Sequence, residues 1–296
     1  MSNDARRCDP DRRSDAGVDG SVKDGEYGRM LSYQHLYHAG NRADVFKHTV
    51  LVDLLSRLVR SSRPMTYIET HAGRGLYRLD APEALKTGEA ETGITYALRT
   101  GQIDRRLDGI IRKIREKQGA TVYPGSPVIA RNILRSIDRM HLMELHPQEH
   151  RALQQTVKGR QVSVVFGDGY EEVLRLAPPQ PRRGLVLVDP SYEVKSEYGY
   201  VVEWMGRLFG KWPDATVLLW YPVLDSGYHV AMLEAIRREY GSMIQEAEAA
   251  WPGGPERAMR GCGLVLFNAP SGYRMPAVTF VPEGVGNPVV HPSGSE

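Results

Sequence analysis

Apolar residues recur at helical spacing through Ala43–Arg60 (ADVFKHTVLVDLLSRLVR), with Val45, Val52, Leu55 and Val59 on one stripe. The pattern predicts a helix ended by Pro64. Met65 to Glu69 then reads as a short strand running into the turn Gly73-Arg74-Gly75. Such a strand-to-glycine transition opens the first βα unit of a nucleotide-binding type of fold. The run Gly184-Leu185-Val186-Leu187-Val188 is apolar without alternation. That marks a strand buried on both faces. Further strands are predicted at Met140–Leu145, Val162–Phe166 and Thr216–Trp220, and a closing antiparallel pair at Ser242–Trp251 and Gly263–Asn268. Helical patterns fill the gaps at 147–157, 170–176, 197–210 and 228–240.

One spacing breaks the alternation. A simple βαβ unit would place its second strand about 30 residues after the first. Here residues 76–121 are polar and helical in pattern, so a helical insertion subdomain is expected there. Val122-Tyr123-Pro124-Gly125-Ser126-Pro127 follows, with Ser126 as the expected N-cap and Pro127 at the first position of a helix running to Arg135. The expected architecture is α/β, a mostly parallel, Rossmann-like doubly wound sheet with an antiparallel terminal strand. Its domain is assigned to 30–75 and 122–284. Residues 1–29 are nearly free of large apolar side chains and are expected to be a disordered extension. Residues 285–296 are expected to form a flexible tail.

In such a sheet, chemistry collects at the carboxyl ends of the strands. Strand one ends in Glu69 and the glycine turn, the next in Glu144, the third in Asp168-Gly169, and the buried apolar strand in Asp189-Pro190-Ser191-Tyr192. Alone, Glu144 reads as a surface acid and Asp168-Gly169 as a turn or helix cap. Their regular succession argues for a joint role. Glu144 suits ribose hydroxyls and Asp168 suits an adenine amine. The glycine turn is not G-x-G-x-x-G, because Arg78 holds the third glycine position, which counts against a dinucleotide oxidoreductase.

Composition changes the picture little. The chain of 296 residues carries a net charge of +2, so no global polycation announces nucleic acid. Basic residues cluster locally: Arg105-Arg106, Arg112-Lys113, Arg115, Lys117 and Arg182-Arg183. The first group reads equally as a solvated helix face or as an RNA-facing patch. Two cysteines, Cys8 and Cys262, support neither a disulfide framework nor a cysteine-rich metal site. No apolar segment reaches the roughly 18 residues of a membrane span, and the N-terminus has no apolar signal core. A cytoplasmic protein without membrane contact is the default expectation.

Asp189-Pro190-Ser191-Tyr192 resembles the D/N/S-P-P-Y/F/W motif of amino-methyltransferases, with Ser191 in the place of the second proline. That resemblance implies that Asp189 and the Pro190 carbonyl accept from a target amine and that Tyr192 stacks on its base. Together with the strand-end acids it matches an S-adenosylmethionine site. A second cluster precedes the first strand: Tyr33, His35, His38, Asn41, Asp44, Lys47 and His48. Its spacings do not match a zinc motif.

The chain is further similar to the bacterial 23S rRNA (adenine(2030)-N6)-methyltransferase family. The likeness is carried by Leu31-Ser-Tyr-Gln-His35, His38-Ala-Gly-Asn41, Ala43-Asp44, Lys47-His48, Thr70-His-Ala-Gly73, Tyr123-Pro-Gly-Ser-Pro127, Glu144-Leu-His-Pro147, Asp168-Gly169, Asp189-Pro190 and Trp220-Tyr-Pro222. It runs from Met30 to about Pro282. The resemblance implies a monomer with S-adenosylmethionine contacts at His48, His71, Ser126, Glu144, Asp168 and Gly169. It further implies Asp189 as catalytic acceptor, and Tyr33, His35 and Lys47 beside an adenine of 23S rRNA. Lys47 is expected to hold phosphate. Rival readings are an adenine methyltransferase acting on DNA or another RNA, and a non-catalytic RNA-binding assembly factor of the same fold.

Overall fold

The computed structural model describes residues 33–251 and 259–277. The expected extension over 1–29 and the tail over 285–296 lie outside the described residues.

The fold begins with α1 (Arg42–Leu58). Asn41 caps it, its side chain accepting from Asp44 N at 2.9 Å. β1 (Thr66–Glu69) follows, then β2 (Leu76–Arg78), α2 (Pro82–Thr87), a π turn at Glu91–Thr95, α3 (Tyr96–Thr100) and α4 (Arg105–Gln118). β3 (Val122–Pro124), α5 (Ser126–Ile133), β4 (Arg139–Glu144), α6 (Pro147–Thr156) and β5 (Val162–Phe166) come next. The chain continues through α7 (Gly169–Leu176), β6 (Gly184–Val188), α8 (Glu197–Lys211), β7 (Thr216–Val223) and α9 (Tyr228–Tyr240). β8 (Ile244–Ala250) and β9 (Gly261–Phe267) close it.

Seven strands form one sheet in the order β5-β4-β1-β6-β7-β9-β8. The first five pair in parallel, and β9 enters antiparallel between β7 and β8. This is the expected mostly parallel sheet with an antiparallel end. β6 is buried along its whole length. Leu185 and Leu187 join one core with Phe46, Leu51 and Leu54 of α1, while Val186 and Val188 join the other with Trp204 and Leu208 of α8. Period-two geometry therefore explains why the run lacks alternation: both of its faces are covered. From β1 the chain winds to β4 and β5 on one side, then to β6 and β7 on the other. The crevice of such a switch point opens at the carboxyl ends of the strands. Glu69, Glu144 and Asp189 arrive there together.

The segment between β1 and β4 holds α2, α3 and α4. Leu76–Arg78 is not helix but a strand paired antiparallel with Val122–Pro124. Tyr77 faces Tyr123 in that ribbon, and both rings are buried. The inserted helices pack Ile94, Ala97, Leu107 and Ile111 on Val45 and Val52 of α1. Gly93 sits against the turn that starts α1, where an added Cβ would lie 2.1 Å from the Gly40 carbonyl oxygen. The cap of α5 also differs: Gly125 is its N-cap, and Ser126 donates its hydroxyl to Glu69 instead.

Candidate active site

A cavity of about 710 Å³ lies at the switch point, walled by the His35–Asn41 turn, the cavity side of α1, and the ends of β1, β4, β6 and β7. Tyr33, His35, Lys47, His48, His71, Ser126, Glu144, Asp189 and Pro190 all lie on its wall. Asp168, Gly169 and Tyr192 do not.

A chain of polar contacts crosses one side of the cavity. The Tyr33 hydroxyl lies 3.0 Å from His35 Nδ1, and His35 Nε2–H donates to Asp44 at 2.9 Å. Lys47 lies 3.1 Å from Asp44 and donates to Asp189 at 2.6 Å. Helical spacing of three residues puts Asp44 and Lys47 on one turn of α1. Burial disfavours both charges. The pull of His35 and Lys47 nevertheless holds the Asp44 carboxyl well below its ordinary value. Asp189 and Asp44 likewise hold the Lys47 ammonium well above its own. Burial, then the nearby Asp189 carboxylate, pushes the Tyr33 phenol up.

The expected phosphate contact at Lys47 is corrected by this geometry. Its side chain is only 6% exposed and is spent on two carboxylates. It orients Asp189 rather than reaching solvent. Arg182 and Arg183 are also structural: Arg182 pairs with Asp214, and Arg183 donates to the Leu58 carbonyl. Tyr192 departs from expectation as well. Its backbone turns inward at φ +54°, and its ring stacks on Tyr198 at 4.3 Å. Its hydroxyl donates to the Trp220 carbonyl at 3.1 Å. The ring is core, and Tyr33 and Trp220 are among the aromatic surfaces on the cavity wall.

The other side of the cavity is built from neutral imidazoles and backbone-held acids. Burial lowers His48 to about 3 and His71 to about 4, so both rings are uncharged at neutral pH. His48 Nδ1 lies 2.7 Å from the Tyr123 hydroxyl and His71 Nδ1 2.7 Å from Thr70 Oγ1. Glu144 accepts from Gly73 N and His146 N, each at 2.7 Å, which fixes its carboxylate across the glycine turn. Burial nonetheless raises its carboxyl above the ordinary value. Asp168 caps α7 by accepting from Tyr170 N at 2.9 Å and Glu171 N at 3.3 Å. It stands one layer behind His71, whose ring meets that of Tyr170 at 5.0 Å. A Cβ on Gly169 would lie 1.8 Å from the Thr70 carbonyl oxygen. Gly169→Ala is therefore expected to force the β1 and β5 loops apart. The expected loss is about 1–3 kcal/mol of stability, measured by denaturant titration, together with weakened cofactor binding in calorimetry.

Two further buried acids carried no sequence signal beyond position. Glu69 accepts from the hydroxyls of Tyr67 at 2.6 Å and Ser126 at 2.8 Å, and burial pushes it up to about 8. Glu197 looks like any first-turn acid of a helix, yet it is buried on the cavity wall.

The family described as "Ribosomal RNA large subunit methyltransferase D, RlmJ" matches residues 62–282. The chain belongs to this family. Ribosomal RNA large subunit methyltransferase J of Escherichia coli (strain K12) is 35% identical over 246 residues, 81% of this chain and 88% of that protein. Its namesake in Haemophilus influenzae (strain ATCC 51907 / DSM 11121 / KW20 / Rd) is 34% identical over 272 residues, covering 87% and 97%. Among solved structures, protein LPL1258 of Legionella pneumophila superposes with a TM-score of 0.72 at 34% identity, over 79% of this chain and 87% of that one. Membership of the RlmJ family makes this chain a methyltransferase. Both imidazoles on the cavity wall, His48 and His71, are uncharged at neutral pH, so neither repels a cationic group bound there.

Proposed function

We propose that the protein transfers a methyl group from S-adenosylmethionine to the exocyclic N6 amine of an adenine in 23S rRNA, position 2030 by family likeness. The observation that carries this reading is the buried Asp44–Lys47–Asp189 array at the switch point of an RlmJ-family chain. It sets one carboxylate on the wall beside the Pro190 end of the motif, where a planar amine can be held.

Glu144, His48, His71 and Ser126 would hold the cofactor, with Asp168 and Gly169 shaping the adenine end of its site. S-adenosylmethionine supplies an electrophilic methyl on sulfur. The chain does the rest. An adenine amine is a poor nucleophile because its lone pair is delocalised into the ring. Hydrogen bonds from its two protons to Asp189 and the Pro190 carbonyl favour a pyramidal nitrogen with a localised pair. Carboxylates are too weak as bases to deprotonate a neutral aryl amine. Asp189 instead takes the proton as the nitrogen becomes cationic, directly or through water. Lys47 keeps Asp189 aimed by donating to it at 2.6 Å; Tyr33 and His35 complete the wall around the base. Positioning and electrostatics then supply most of the acceleration. A base in folded RNA must be extruded to reach such a cavity.

The family likeness also implies that the protein works as a monomer. No helix among the described residues is long and apolar enough to cross a membrane. The substrate places the enzyme's work in the cytoplasm. Mapping methylated adenines in 23S rRNA with and without the protein tests the reading, with duplex DNA as the competing substrate. Methylation of DNA but not of rRNA would overturn it.

The outer face of α4 is the expected RNA contact. Arg106 pairs with Asp53 and Asp104, Arg112 with Asp108, and Arg115 donates to the Val122 carbonyl. Arg105, Lys113 and Lys117 are exposed. Replacing these three with glutamine is expected to weaken rRNA binding and leave cofactor affinity unchanged. The slope of log K against log salt should fall by about 0.7–0.9 for each phosphate no longer neutralised, as read by filter binding.

A further inference from the structure

The Asp189–Tyr192 loop lacks the second proline that would stiffen it, and Ser191 stands there instead. The loop nevertheless carries a left-handed tyrosine, a conformation that side chains other than glycine adopt only when held. Two contacts hold it. The Tyr192 hydroxyl ties the ring to the Trp220 carbonyl within β7. Its backbone N–H donates to Glu197 Oε2 at 2.9 Å. Glu197 Oε1 in turn accepts from the Tyr170 hydroxyl at 3.3 Å. Tyr170 follows Asp168-Gly169 at the start of α7. One buried carboxylate thus bridges the loop after β6 to the turn after β5, between the substrate half and the cofactor half of the cavity.

We propose that Glu197 is a positioning residue for methyl transfer, restraining the Asp189–Tyr192 loop where the second proline is missing. The proposal rests on the reading of that loop as catalytic. Glu197 touches no reacting atom in this scheme. It sets where the Pro190 carbonyl and the Asp189 carboxylate stand by anchoring the peptide of Tyr192, two residues beyond Pro190. A displacement of about 1 Å at such a group can cost on the order of 10²-fold in rate.

The charge state of Glu197 sharpens this role. Burial pushes its carboxyl up to about 7, against the Tyr192 N–H and the Tyr170 hydroxyl that favour the ionised form. Asp168 from the β5 turn and Glu193 from the loop push in the same direction as burial. A charge-assisted hydrogen bond is about twice as strong as a neutral one. Protonation as pH falls through about 7 therefore loosens the anchor without removing it.

The test compares wild type, Glu197→Gln and Glu197→Ala in single-turnover methylation of a 23S rRNA fragment across pH, with S-adenosylmethionine affinity measured by calorimetry. A glutamine oxygen still accepts from Tyr192 N–H but does not titrate. Wild type is expected to lose rate as pH falls through about 7. Glu197→Gln should show no such limb and run near the low-pH level of wild type. Glu197→Ala should fall further, by on the order of 10²-fold, with cofactor affinity unchanged. An acidic limb that persists unaltered in Glu197→Gln overturns the proposal, as does a parallel loss of rate and cofactor affinity in Glu197→Ala. If the alanine variant does not fold, the glutamine pH profile alone decides. Failure of the underlying reading is separate: wild type itself would then leave the rRNA unmethylated.

Discussion

Asp189→Ala is expected to abolish methyl transfer, by about 10³-fold or more, while S-adenosylmethionine still binds. The carboxylate lies on the cavity wall and accepts from the Lys47 ammonium at 2.6 Å. Without it the target amine loses an acceptor for one proton and the means of shedding it. The residues proposed to hold the cofactor, Glu144 and the neutral His48 and His71, make their hydrogen bonds to other groups. Calorimetry with the cofactor and methyl transfer to 23S rRNA separate the two effects. Asp189→Asn should be nearly as inactive, because an amide can accept a hydrogen bond but cannot take up the proton. Substantial turnover in either variant would remove Asp189 from the mechanism.

Lys47→Met is expected to damage both activity and stability. The ammonium lies between two carboxylates, Asp44 and Asp189, at 3.1 and 2.6 Å. Removing one partner of a buried ion pair typically costs about 3–5 kcal/mol, because the remaining charge stays buried without compensation. Here two carboxylates are left facing one another. The pH dependence follows from the directions of the shifts. The Asp44 carboxyl is depressed in the folded protein, so its contribution is present above the ordinary value of 3.8 and is lost as pH falls through the folded value. Lys47 is raised, so its contribution is complete below its ordinary value of 10.5 and is lost as pH rises through the folded value. The array is thus intact throughout the neutral range. The penalty in Lys47→Met should be largest near neutrality and should begin to shrink on the acid side above the ordinary carboxylate value of about 3.9, because Asp44, buried and left without the cation, takes up a proton more readily. Denaturant titrations of both proteins across pH measure it. A penalty independent of pH would mean that packing, not charge, is what Lys47 contributes.

The strand ends were legible because they rest on two strong regularities. A short, unbroken apolar run can be covered on both faces only inside an open sheet, and ligands gather where such strands end. Glu144 and Asp189 could therefore be picked out in the sequence, and both line the cavity. The fate of individual side chains was not legible in the same way. Lys47 reads as a cation available for phosphate, and only the fold reveals that α1 turns it inward between two acids. Tyr192 reads as a stacking ring through its motif, yet the backbone at φ +54° sends it into the core. Ser126 reads as a helix cap, but Glu69 beside it offers a better partner and Gly125 takes the cap. Glu197 was invisible because nothing local separates a buried first-turn glutamate from a solvated one. In each case the deciding contact joins residues far apart in the chain, which no spacing rule encodes. The strand at Leu76–Arg78 was missed for a related reason: its partner, Val122–Pro124, lies on the far side of the inserted helices.

One helix belongs to two cores. Phe46, Leu51 and Leu54 of α1 face the main sheet, while Val45 and Val52 of the same helix form the floor under the inserted helices. Its third side carries Asp44, Lys47 and His48 into the cavity. The inserted segment is for this reason not a portable module. Grafted between relatives without the matching face of α1, it would lose its floor. Any repacking that let α1 rotate to accept a foreign insertion would swing the lysine away from its two acids. Changes to the proposed RNA contact are therefore best made on the outward surface of α4, since the inward surface is tied through α1 to the cavity.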